Sequence, residues 1–136
     1  MAIAAVAAVV GYGGYQMAVS TDAIVRQQLT SYDGIRDAGA WIRGHSRPGD
    51  TIISSSVTQN TYYSERATFG YPDRASDFAD LLKDKAPRYM VLSRWERSPE
   101  WAYEWPQRNS GRVSVASAFF PDESRRQAMV IVYVFR

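Results

Sequence analysis

Residues 129–135 read Met-Val-Ile-Val-Tyr-Val-Phe, an unbroken apolar and aromatic run with no charge, proline or glycine. β-Branched and aromatic side chains in so short a run specify a strand, and this is the strongest strand signal in the chain. It commits the sequence to a sheet, and the segments before it decide what kind. Residues 112–120 form a second strand, with Val113 and Val115 alternating before Ala118 and Phe119. Pro121-Asp122-Glu123-Ser124 supplies the connecting loop, so these two strands pair antiparallel. Earlier strands are expected at 51–56 (Thr-Ile-Ile-Ser-Ser-Ser) and 88–93 (Arg-Tyr-Met-Val-Leu-Ser).

Helical segments separate these strands. Ile35, Ala38 and Ile42 recur at helical spacing within residues 22–45, with Trp41 beside the stripe and Asp33 as a cap. Arg47-Pro48-Gly49-Asp50 ends that helix in a turn. A helix or turn is expected over 58–66. Another spans 74–85, where Phe78, Leu81 and Leu82 share a face, capped by Asp73 or Ser76. A third runs from Ser98 to about Glu104, opened by Pro99 and ended by Pro106. Strands alternating with helices imply parallel pairing. The expected fold is therefore α/β: a small mixed sheet of about four strands, mostly parallel with a C-terminal antiparallel pair, and helices on its faces.

Composition closes off several functions. Hydrophobic residues make up 46% of the 136 and charged residues 22%, which suits one folded domain rather than a disordered chain. Sixteen Lys+Arg against 14 Asp+Glu leave a net charge of +2, with no basic stripe, so no nucleic-acid partner is expected. The absence of cysteine removes thiol and cysteine–metal chemistry, and a single histidine, His45, rules against a His-based metal site or a Ser–His–Asp triad. No phosphate-binding loop or nucleophile elbow is present. Glu96, Glu100 and Glu104, four residues apart, would share a helix face, but the arginines among them make ion pairing the ordinary explanation. No catalytic residue, metal ligand or cofactor is expected within this chain.

The N-terminus departs from this pattern. No charge appears before Asp22, and residues 2–10 are wholly apolar, followed by a Gly/Tyr cluster containing Tyr12 and Tyr15. A membrane-spanning helix needs about 20 predominantly apolar residues, and tyrosines gather where such helices meet water. Residues 1–20 are expected to be the end of a transmembrane helix or a membrane anchor, with 21–136 the soluble domain. A signal peptide would need positive charge before the apolar run. An Ala-rich helix packed on the domain is the competing explanation.

Two aromatic groups are the candidates for binding. Trp95, Trp101, Tyr103 and Trp105 lie close together beside Arg94, and Tyr62, Tyr63 and Arg66 follow the first strand. Indole faces stack on sugar rings or sit at membrane interfaces; the plain alternative is that they serve the core. Segments 54–58 and 93–95 would stand at the carboxyl ends of two parallel strands, the edge at which open α/β sheets bind ligands.

Several short motifs, taken in order, carry a resemblance. Ala40-Trp41-Ile42-Arg43 is followed by Arg47-Pro48-Gly49-Asp50-Thr51-Ile52 and Tyr62-Tyr63-Ser64-Glu65-Arg66. Ala86-Pro87-Arg88-Tyr89-Met90-Val91-Leu92-Ser93 and a closing strand come later. Over residues 30–136 this resembles the extracytoplasmic C-terminal domain of polytopic (GT-C type) glycosyltransferases of the protein-mannosyltransferase family, which use polyprenyl-phosphate sugars. The family's catalytic acids lie near its first transmembrane helices, outside this chain. The resemblance implies a lid or acceptor-binding role beside the cell membrane, on the extracytoplasmic side. It implies partnership with a polyprenyl-phosphate sugar and acceptor together with a transmembrane part. Trp101-Ala102-Tyr103-Glu104-Trp105 does not match the Trp-Trp-Asp-Tyr-Gly motif of the related oligosaccharyltransferases. The alternative function is a membrane-anchored extracytoplasmic binding or assembly module without enzymatic activity.

Overall fold

The computed structural model describes residues 32–121 and 123–136. Residues 1–20, Tyr12 and Tyr15 among them, and the expected helical stretch 22–31 lie outside the described residues. Among the described residues, no helix is long and apolar enough to cross a membrane.

The domain is α/β. A helix over residues 32–45 (α1) is followed by β1 (Thr51–Ser54), α2 (Val57–Ser64), β2 (Ala67–Phe69), α3 (Ala75–Lys85), β3 (Tyr89–Ser93), α4 (Glu100–Arg108), β4 (Val113–Phe119) and β5 (Val130–Phe135). The strands form one five-stranded sheet in the order β2-β1-β3-β5-β4. β1 pairs parallel with β2 and with β3, whereas β5 pairs antiparallel with both β3 and β4. A parallel start and an antiparallel close match the expected mixed sheet. The strand beyond the expected four is β2, only three residues long, too short to leave a period in the sequence.

Alternation along each strand assigns side chains to two faces. Ile52, Tyr89, Val91, Val130 and Val132 join Ile35, Ala38 and Ile42 of α1 in one core cluster. Ile53, Met90 and Leu92 point the other way, onto Phe78 and Leu82 of α3 and Ala102 of α4. β3, covered on both faces, is buried at every position, as a central strand must be. The expected stripe Ile35–Ala38–Ile42 is at most 2% exposed.

Local details depart from expectation. Asp33 lies inside α1 and pairs with Arg36 at 3.0 Å instead of capping the helix. Neither Asp73 nor Ser76 caps α3: Arg74 holds that position with no side-chain capping hydrogen bond. Pro106 sits inside α4, two residues before its end, where the ring is buried. The helix runs on through it to Arg108, without the amide bond that a proline cannot donate to the Ala102 carbonyl. Because α4 begins at Glu100, Glu96 precedes it and the three glutamates do not share one helical face. Glu104 instead pairs with Arg108 at 2.6 Å, a solvent-exposed i,i+4 pair that adds little to stability. On β4 the register shifts between Val115 and Ser117, leaving Ala116 as the extra residue of a bulge.

Candidate functional site at the carboxyl edge of the sheet

The three parallel strands all end at one edge, and the loops that leave them build a cleft of 670 Å³. Ser55 comes from the loop after β1. Gly70, Tyr71 and Asp73 come from the loop after β2, and Arg97, Ser98 and Pro99 from the loop after β3. Glu100 and Trp101 of α4 complete the wall. The geometry is that of a chain divergence. α2, leaving β1, packs against α1, while α4, leaving β3, packs on the opposite face. Adjacent strands whose connections part in this way leave a crevice at their carboxyl ends.

Hydrogen bonds fix the walls. The hydroxyls of Ser55 and Ser98 bond to each other at 2.8 Å and link the first and third loops. Tyr103 reaches back from α4 and donates its hydroxyl to the carbonyls of Ser93, at 3.2 Å, and Glu96, at 2.8 Å. The Ser98 amide donates to the same hydroxyl, so one phenol pins the whole 93–98 loop. Trp101 donates its indole N–H to the Asp73 carbonyl at 3.2 Å, and its ring lies 4.8 Å from that of Phe78. Below it, the Tyr71 hydroxyl donates to the Val91 carbonyl at 2.7 Å. Burial, with smaller contributions from Tyr103 and Tyr133, holds the Tyr71 phenol well above its ordinary ionisation range. It stays neutral and structural.

Behind the cleft, Asn60 is fully buried and stitches the turn from β1 into α2. Its amide donates to Ser54 Oγ at 2.9 Å and to the Ser56 carbonyl at 3.1 Å. Ser54 Oγ also accepts the Ser56 amide, at 3.1 Å.

The residues singled out from the sequence are distributed over several roles. Trp101 lines the cleft and Tyr103 braces its wall. Trp105 packs instead against Phe78 and Phe135, with ring centroids 5.1 and 6.0 Å away. Arg94 and Trp95 follow β3 as exposed residues, Trp95 at 44% exposure. The second group stands apart. Tyr62 is 74% exposed on α2, edge-on to Tyr63 at 5.1 Å. Arg66, just beyond the carboxyl end of α2, turns away to donate to Ser46 Oγ at 2.9 Å and to the Ser46 carbonyl at 3.3 Å. The two aromatic groups do not converge on one site.

Asp73, Arg97, Ser98 and Glu100 were not among the expected site residues. Their only sequence signal is position, just after strands, and for Asp73 that signal required recognising β2. Among the described residues no cluster of His, Cys, Asp or Glu could hold a metal ion. In chemical terms the cleft offers an indole face, one guanidinium, two carboxylates and paired hydroxyls. Such groups can pair with the hydroxyls of a polyhydroxylated molecule. Set beside family models, curated proteins and solved structures, the chain matches none of them.

Proposed function

We propose that this chain is the extracytoplasmic C-terminal domain of a membrane-bound sugar transferase and that it binds sugar without catalysing transfer. The carboxyl-edge cleft is the observation that carries the reading. Trp101 presents an aromatic wall there, flanked by Arg97, Asp73 and Glu100. Sugars expose C–H faces that pack on aromatic rings, while their ring hydroxyls pair with carboxylates and guanidinium groups. The order of motifs from Ala40 to Ser93 supports the family assignment, and the uncharged N-terminal stretch supports attachment to a cell membrane. In this reading the sugar donor, a polyprenyl-phosphate sugar, and the acceptor are handled together with a transmembrane part that carries the catalytic acids.

The test is saccharide binding by the full chain in neutral detergent, followed by saturation transfer across a panel of monosaccharides and disaccharides. Binding is expected to weaken about tenfold in a Glu100→Gln, Asp73→Asn double variant, the loss of two good hydrogen bonds. Failure of every saccharide to bind, or binding unchanged in the double variant, would overturn the reading.

A further inference from the structure

The opposite edge of the sheet carries a second, chemically different cleft, of 320 Å³. Three arginines line it, each adjoining a strand end. Arg88 immediately precedes β3, Arg136 immediately follows β5, and Arg112 immediately precedes β4. The sheet order runs β3-β5-β4; Arg112 stands directly across from Arg136, and Arg88 across from Phe135, one residue further along β5. Their backbones are locked. Arg88 donates its amide to the Thr51 carbonyl at 2.9 Å, and its own carbonyl accepts the Phe135 amide at 3.0 Å. The Arg136 amide donates to the Arg112 carbonyl at 2.9 Å.

The side chains are also guided. Arg88 Nη1 donates to the Phe135 carbonyl at 3.4 Å, and the Arg112 guanidinium lies 5.7 Å from the centre of the Trp105 ring. Among the described residues, none of the three forms an ion pair with a side-chain carboxylate. Among the described residues, Asp50 is the acidic side chain that lines the cleft, and one of its oxygens already accepts the Arg47 amide at 2.8 Å. The carboxyl end of α3 abuts the cleft at Ala86, where Lys83 and Lys85 in its last turn offset the negative helix end. Like charges held side by side repel one another unless an anion lies between them. Guanidinium groups match the oxygens of a phosphate in two-point fashion.

We propose that this amino-edge cleft is a phosphate-binding site in which Arg88, Arg112 and Arg136 take the phosphate group of a soluble phosphate ester or of a phospholipid headgroup. The proposal is independent of the sugar cleft, which lies at the other edge. It is tested on the full chain in neutral detergent by following the arginine side-chain N–H resonances during titration. The probes are inorganic pyrophosphate and glycerophosphoglycerol, a soluble phosphodiester headgroup.

Saturable shifts at Arg88 and Arg112 with pyrophosphate alone support a soluble ester; comparable saturation by the diester supports a headgroup. An Arg88→Gln, Arg112→Gln double variant is expected to weaken binding about tenfold or more. Arg74→Gln, remote and paired with Asp77 at 3.1 Å, is expected to leave it unchanged. Should the double variant fail to fold, Arg112→Lys keeps the charge but loses the fork, and a loss of about threefold is expected. Non-saturating shifts with both probes, or equal affinity in Arg112→Lys and the double variant as in the parent, would overturn the proposal.

Discussion

Gly39 of α1 faces Tyr63 of α2 so closely that a Cβ placed on the glycine would stand 2.5 Å from Tyr63 Cβ. The two helices meet there without room for a methyl group. In a helix interior alanine is ordinarily favoured over glycine by about 1 kcal/mol. Here overpacking reverses the sign, and Gly39→Ala is expected to destabilise the domain by about 1–3 kcal/mol. Gly44, in the same helix, has nothing among the described residues within 4 Å of its added Cβ, and Gly44→Ala is expected to stabilise by about 0.5–1 kcal/mol. Denaturant unfolding of both variants checks the opposed signs.

Tyr71 sets an alkaline limit. The folded protein keeps its phenol neutral well above the ordinary value of 10.0, mainly through burial. The unfolded chain ionises it at the ordinary value, so above that pH the unfolded state binds fewer protons and stability falls as pH rises. Stability is expected to decline from about pH 10 upward, with a shallower slope in Tyr71→Phe. At neutral pH the same variant loses the bond to Val91 and about 1–2 kcal/mol. Tyrosinate absorbance against unfolding at each pH measures both.

The tryptophans separate by burial. Trp105 packs on Phe78 and Phe135, so Trp105→Ala is expected to cost about 3 kcal/mol, the lower end for a large aromatic deletion because the ring is only partly buried. Trp95 is 44% exposed, and Trp95→Ala is expected to change stability by no more than about 0.5 kcal/mol. Equal effects in thermal unfolding would contradict this assignment of roles.

Ala86 ends α3 with φ at 42°, a left-handed conformation that costs an L side chain about 1–2 kcal/mol and a glycine nothing. Ala86→Gly is therefore expected to stabilise by about 0.5–1 kcal/mol, net of the glycine's greater freedom when unfolded. The measurement is the unfolding midpoint at unchanged denaturant dependence.

Much of the fold was legible because its periods are long. Ile35, Ala38 and Ile42 repeat over two helical turns, and residues 129–135 have no competing reading. What stayed hidden was short or tertiary. Ala67-Thr68-Phe69 is a strand because β1 offers it a free edge, and without it Gly70 to Asp73 reads as a plain loop rather than one placed at the carboxyl edge. The edge itself was foreseeable from parallel pairing; that Ser55 would meet Ser98, 43 residues away, was not. Trp101, Tyr103 and Trp105 are neighbours in sequence, yet helical rotation sends them to a cleft wall, a loop brace and the core.

The bulge at Ala116 bears on how the domain behaves in company. Among the described residues β4 is the last strand on its side of the sheet, and its outer side offers backbone donors and acceptors to any other chain that could align with it. Val115, beside the bulge, is 61% exposed, the kind of side chain that would reward such pairing. The extra residue bends the strand and breaks the even spacing of its free amides. A second strand could match only part of the edge, which guards the folded molecule against sheet-to-sheet polymerisation.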